Sequence, residues 1–167
     1  MRAALPVSAF LLVLSCSGER TAATVRRAAA IGDTTFAGVQ SRGQAAMGVD
    51  QYTSTHVFEP LADGGRIELQ RDDRDSLGTI QIQQHMRQIA ASFAAGDFGL
   101  PGFVHARIVP GAEVMAARRT EISYTVEDLP RGAALRLRSD SPGVVRAIHD
   151  FLQFQRQDHH AAAHQGS

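Results

Sequence analysis

The chain has 167 residues, 44% of them hydrophobic and 20% charged, a balance that excludes a wholly disordered protein and a multi-span membrane protein. Basic and acidic residues number 17 each, so no net field draws the molecule toward nucleic acid. Every basic residue is Arg, and without Lys neither a phosphate-loop lysine nor a Schiff-base lysine is possible.

The N-terminus carries an export pattern. Arg2 precedes a short apolar run that includes Phe10, Leu11, Leu12 and Val13, and small residues follow. This arrangement reads as a secretory signal over residues 1–15, too short to span a bilayer as a helix. Val13-Leu14-Ser15-Cys16 resembles a bacterial lipobox, which makes Cys16 the expected lipidation site and new N-terminus. The alternative is a plain secretory signal with an incidental Cys. Either way the sole Cys lies at the cleavage point, so the mature domain has no disulfide and no thiolate for catalysis or zinc. The expected location is the periplasmic face of a bacterial membrane, held there by the lipid.

Removing the signal leaves about 150 residues, the size of one domain. Residues 16–48 are rich in Ala, Gly, Ser, Thr and Arg without sustained periodicity, and read as a lipidated tether with a possible short helix over residues 22–30. The folded domain is expected over residues 49–158. Within it, His56-Val57-Phe58, the turn Ala62-Asp63-Gly64-Gly65 and the alternating Ile67-Glu68-Leu69 predict a β-hairpin. Asp75 or Ser76 then caps a helix running to about Ala94, with Ile82, Met86, Ile89 and Phe93 on one stripe.

Residues 98–114 contain Pro101, Gly102, Pro110 and Gly111 and read as a long crossing loop, with a short strand at Phe103-Val104-His105. The second half repeats the first: strands around Tyr124 and Leu135, then a helix from Pro142 to about Gln157 with Val145, Ile148 and Leu152 on its apolar stripe. Leu61-x-x-Gly64-x-x-Ile67-x-Leu69 overlays Leu129-x-x-Gly132-x-x-Leu135-x-Leu137. The expected fold is therefore α+β: a two-layer sandwich built from a duplicated ββα unit, its antiparallel sheet carrying two helices on one face. Shared hairpin physics without duplication predicts the same layers.

Seven His are present, four of them inside expected elements. His56 shares a strand face with Phe58, the face turned toward the helices. His85 lies on the apolar stripe of its helix, His149 flanks the stripe of the last helix, and His105 sits in the crossing segment. Convergence of His56, His85, His105 and His149 would form a site for copper, zinc or haem iron, with Met47 as a further ligand and Met86 and Met115 as other soft thioethers. The competing reading is a set of core-edge histidines, each hydrogen-bonded to a neighbour. Residues 159–167, with His159, His160 and His164, read as a disordered tail able to hold metal weakly.

No G-x-S-x-G elbow and no glycine-rich phosphate loop occurs, so no nucleophile can be paired with a histidine. Three functional readings follow. The first is a non-enzymatic lipoprotein that binds a transition metal or haem; the second is a ligand-free periplasmic interaction or scaffold module; the third is a small hydrolase or lyase using one His as general base. The membrane, through the lipid anchor, is the expected partner.

Met47-Gly-Val-Asp50-Gln51, Gly64-Gly65-Arg66-Ile67-Glu68-Leu69, Ala95-Gly96-Asp97-Phe98, Phe103-Val104-His105, Val109-Pro110-Gly111 and Ala147-Ile148-His149-Asp150-Phe151-Leu152 together resemble a group of small uncharacterised exported bacterial proteins. The resemblance covers residues 40–160 and implies export without a defined activity. Some members bear the label aspartate carbamoyltransferase. That enzyme is built of two αβ domains around a Ser-Thr-Arg-Thr-Arg type phosphate loop. This chain has neither the loop nor a Lys, so the label assigns no catalytic residue to it.

Overall fold

The computed structural model describes residues 34–48 and 51–161, all within the unit that clusters over Gly32–Ser167. The signal segment, Cys16 and the possible helix over residues 22–30 lie outside the described residues. So does the tail beyond Ala161.

Two hairpins make one sheet. The first pairs β1 (Ser54–Leu61) with β2 (Gly64–Arg71), the second pairs β3 (Ser123–Leu129) with β4 (Gly132–Arg138), and β2 joins β4 in the order β1-β2-β4-β3, antiparallel throughout. The central register sets Ile67 opposite Leu135, Gly64 opposite Arg138 and Gln70 opposite Gly132. Strand alternation then sorts the faces: Phe58, Leu69, Leu135 and Leu137 enter the core, while Arg66, Glu68 and Gln70 on the opposite face bond one another. One buried and one polar face is the expected pattern for an antiparallel sheet, and the α+β class stands.

The helices pack on the apolar face. Asp75 caps α2 (Ser76–Ala95), its carboxylate accepting from Gly78 N–H at 3.0 Å, and Gly96 ends it in the left-handed region at φ 82°. Pro142 opens α5 (Pro142–Asp158) at its first turn. Each of these helices follows one hairpin in the chain but covers mainly the other: α2 lies over β4 and β3, and α5 over β1 and β2. Close contact between α5 and β2 needs Gly65, where a Cβ would stand 2.1 Å from Leu152 Cδ1.

Three expectations need correction. The tether reading does not extend to residue 48, because Phe36–Met47 forms a helix, α1, capped by Thr35 Oγ1 and closed by Gly48 at φ 71°. Its Val39 is fully buried, and small Gly38 and Gly43 lie on the same buried face, which left too weak an apolar period to read from sequence. The crossing segment is not a loop with a strand. It folds into α3 (Gly99–His105) and α4 (Ala112–Ala117), where Pro101 occupies a first-turn position needing no N–H donor, so the β preference of Phe103 and Val104 is overridden. The domain also continues past residue 158: His159, His160 and Ala161 pack back on it.

Candidate functional site

Beneath the sheet, between α1, α2, α3 and the end of α5, lies a cavity of about 90 Å³. Four imidazoles reach it, from His56 on β1, His85 on α2, His105 at the end of α3 and His159 just beyond α5, together with the thioethers of Met47 and Met86. The remaining lining is chiefly aliphatic and aromatic.

Each imidazole is placed by its element. His56 alternates with Phe58 toward the helices, and its ring stacks on that of His159, 5.0 Å between centroids and 15° between planes. His85 stands one turn after Ile82, buried with Met86 on the same helix face. His105 is almost wholly buried at 1% exposure, and both its ring nitrogens are engaged: Nδ1 lies 2.5 Å from Asp158 Oδ2, and Nε2 lies 2.7 Å from Gln155 Oε1. Arg107 grips the other oxygen of Asp158 and lies over the Phe154 ring, so His105 and Arg107 of the α3 segment hold this end to Phe154, Gln155 and Asp158 of α5. His159 sits edge-on to His105 at 5.0 Å and against Phe58 at 5.5 Å. Its Nδ1 is buried with no hydrogen-bond partner among the described residues.

Burial decides the charge of this cluster. It pushes the His56 and His85 imidazoles from the ordinary 6.5 down to about 4, because the charged form loses its hydration. His159 falls to about 2, by burial first and then by the nearness of His56, His105 and His160. These three imidazoles are uncharged near neutral pH and keep their lone pairs.

His149 lies apart from this group. Its Nε2–H donates to the Leu61 carbonyl at 2.9 Å, beside a separate cleft lined by Asp63, Asp140 and Arg146. The reason is a one-residue shift of the helix stripe, which runs through Val144, Ala147, Ile148, Phe151 and Leu152 rather than through Val145, and turns His149 about 100° off its centre. Met115 is buried in the core and does not line the cavity. His159, assigned to the tail by sequence, joins instead. Its spacing was a usable signal: Leu152, Gln155 and His159 continue the stripe at intervals of three and four.

Among the described residues, no three His, Cys, Asp or Glu are disposed to hold a metal ion together. Among the described residues no Ser, Thr, Cys, Asp or Glu lines the cavity, and none of them offers His105 and Asp158 a nucleophile there. A haem macrocycle is several times larger than a space of about 90 Å³, so the cavity does not enclose one. No described helix is long and apolar enough to cross a membrane. No protein-family model, curated protein or solved structure matches the chain.

Proposed function

We propose that this is an exported, lipid-anchored binding module, not an enzyme, whose cavity takes one soft transition-metal ion, Cu(I) foremost. The observation that carries the reading is the presence of His56, His85 and His159 with Met47 and Met86 in the lining of one small apolar cavity. Neutral imidazole and thioether are soft or borderline donors, and together they favour Cu(I) over Mg²⁺ and Ca²⁺, which require oxygen ligands. Because Cu(I) is satisfied by low coordination numbers, two imidazoles and one thioether suffice. His105, with both nitrogens engaged, orients its neighbours rather than donating to the ion, as the partners around metal ligands do.

A ligand-free scaffold has no need to keep four imidazoles and two thioethers around one space. A hydrolase reading lacks a nucleophile among the described lining residues. The test is a titration of the untagged full-length chain with Cu(I) against a chromogenic chelator: about one equivalent should bind per chain, and uptake well below half an equivalent overturns the reading. Extraction in a detergent-requiring, lipid-modified form that the Cys16→Ser variant lacks tests the anchor.

A further inference from the structure

The end of α5 is held in an unusual way. After Asp158 the chain makes one more turn, with His159, His160 and Ala161 donating their N–H groups to Gln155, Gln157 and Arg156 carbonyls. His160 takes a positive φ of 50°, which costs an L-residue free energy and persists only where neighbours over-determine it. Those neighbours come from two other elements. The His160 ring lies flat on Phe36 of α1, 4.3 Å between centroids and 4° between planes, while Asp158 is gripped from the α3 side by His105 and Arg107. The turn belongs to no sheet. Its backbone bonds run only to the end of α5, and the contacts to other elements that hold it over the cavity are made by side chains.

We propose that this last turn, residues 158–161, is a clasp, which carries His159 into the cavity as a ligand for the bound ion and swings outward to admit and release it. The ligand half of this inference rests on the metal reading above; the hinge half does not. His159 is the group whose Nδ1 is buried without a hydrogen-bond partner among the described residues, a cost that a bound ion removes. Terminal helical turns are also where local opening needs least free energy. The two residues that face each other across the seam, Phe36 and His160, therefore set how readily the cavity opens, whereas His56 and His85 stand on elements fixed by the sheet and the core.

The experiment uses the untagged full-length chain, with amide hydrogen exchange and Cu(I) as the probes. Phe36→Ala should speed exchange at the amides of His159, His160 and Ala161 by about tenfold or more while the amides of residues 148–152 keep their protection. It should also raise both the association and dissociation rates of Cu(I). His159→Asn keeps a polar group near the position of Nδ1 but offers no imidazole, and should weaken Cu(I) affinity by about tenfold or more, with far-ultraviolet dichroism unchanged. Unaltered exchange at the three amides in Phe36→Ala overturns the clasp. Cu(I) affinity of His159→Asn equal to that of the parent, beside a loss in His56→Ala, overturns His159 as a ligand and leaves the cavity reading intact. If the parent chain takes up no Cu(I), the metal reading falls and the ligand role with it, and the exchange data alone decide the hinge.

Discussion

The imidazoles of His56 and His159, more than one hundred residues apart in the chain, lie nearly parallel with 5.0 Å between their centroids. Strand β1 fixes one ring and the C-terminal turn of α5 supplies the other, so the cavity exists only when both ends of the domain are folded. Four expectations follow from this arrangement.

Acid should weaken the fold before the carboxylates titrate. The folded-state values of His56 and His85 lie near 4 and that of His159 near 2, all below the unfolded 6.5. As pH falls through 6.5, the unfolded chain binds protons that the folded chain refuses, so stability drops progressively between about 6.5 and 4. Asp63 and Glu121, whose carboxyls are lowered by Arg136 and Arg118, add their loss only below about 4.5. Urea midpoints at pH 7.5, 6, 5 and 4.5 should decline steadily, and less steeply in His85→Leu. A flat profile to pH 4.5 refutes the buried neutral cluster.

His149 serves as the internal control. Its ring bonds the Leu61 carbonyl at 2.9 Å away from the cavity, so His149→Ala should leave Cu(I) affinity within about twofold of the parent, whereas His56→Ala should lower it by about tenfold or more. Competition titrations of the two variants compare them directly. Equal losses would mean that the stripe assignment for α5 is wrong.

Helix α1 belongs to the domain and not to a tether. Val39 is fully buried, and the Arg42 guanidinium, itself buried, donates through Nε to the Val104 carbonyl at 2.7 Å. Val39→Ala should therefore cost about 1–3 kcal/mol of unfolding free energy. A linker residue would cost nothing measurable, and chemical denaturation distinguishes the two.

Glycine positions should split by the space around them. A Cβ at Gly65 meets Leu152 Cδ1 at 2.1 Å and the Glu59 carbonyl at 3.0 Å, while one at Gly102 in α3 meets nothing closer than 3.8 Å. Gly65→Ala should destabilise by about 1–3 kcal/mol, and Gly102→Ala should be neutral or stabilise by up to about 1 kcal/mol through helix propensity and a less flexible unfolded chain. Thermal melts of both variants test the close seating of α5 on β2, and a tolerant Gly65 would contradict it.

Both hairpins and both long helices were legible because their signals are local. Alternation marks Ile67 and Leu69 or Leu135 and Leu137, Asp75 and Pro142 mark helix starts, and the turns carry Gly. His56 and His85 were placed by the same periodicities, and the cavity gathers both; Met47, named for its thioether alone, joins them from a segment read as tether. What escaped was set by tertiary contact. Helix α1 buries glycines and an arginine instead of an apolar stripe, α3 is too short for a period to emerge, and its β-branched and aromatic residues argue for a strand until α1 and α5 close on it. His149 was misplaced by a single residue of helix phase, and His159 was overlooked because a His-rich terminus reads as solvent-exposed when no packing partner is visible in sequence.

The account turns on imidazole and thioether meeting one ion inside the cavity, and X-ray absorption of the Cu(I)-loaded full-length chain tests that most directly. Imidazole nitrogen and sulfur should both appear among the nearest scatterers, and the sulfur contribution should vanish in a Met47→Leu, Met86→Leu double variant. A spectrum with nitrogen or oxygen alone, unchanged by that double variant and lost on replacing His160 and His164, would place the ion on the tail and contradict the account.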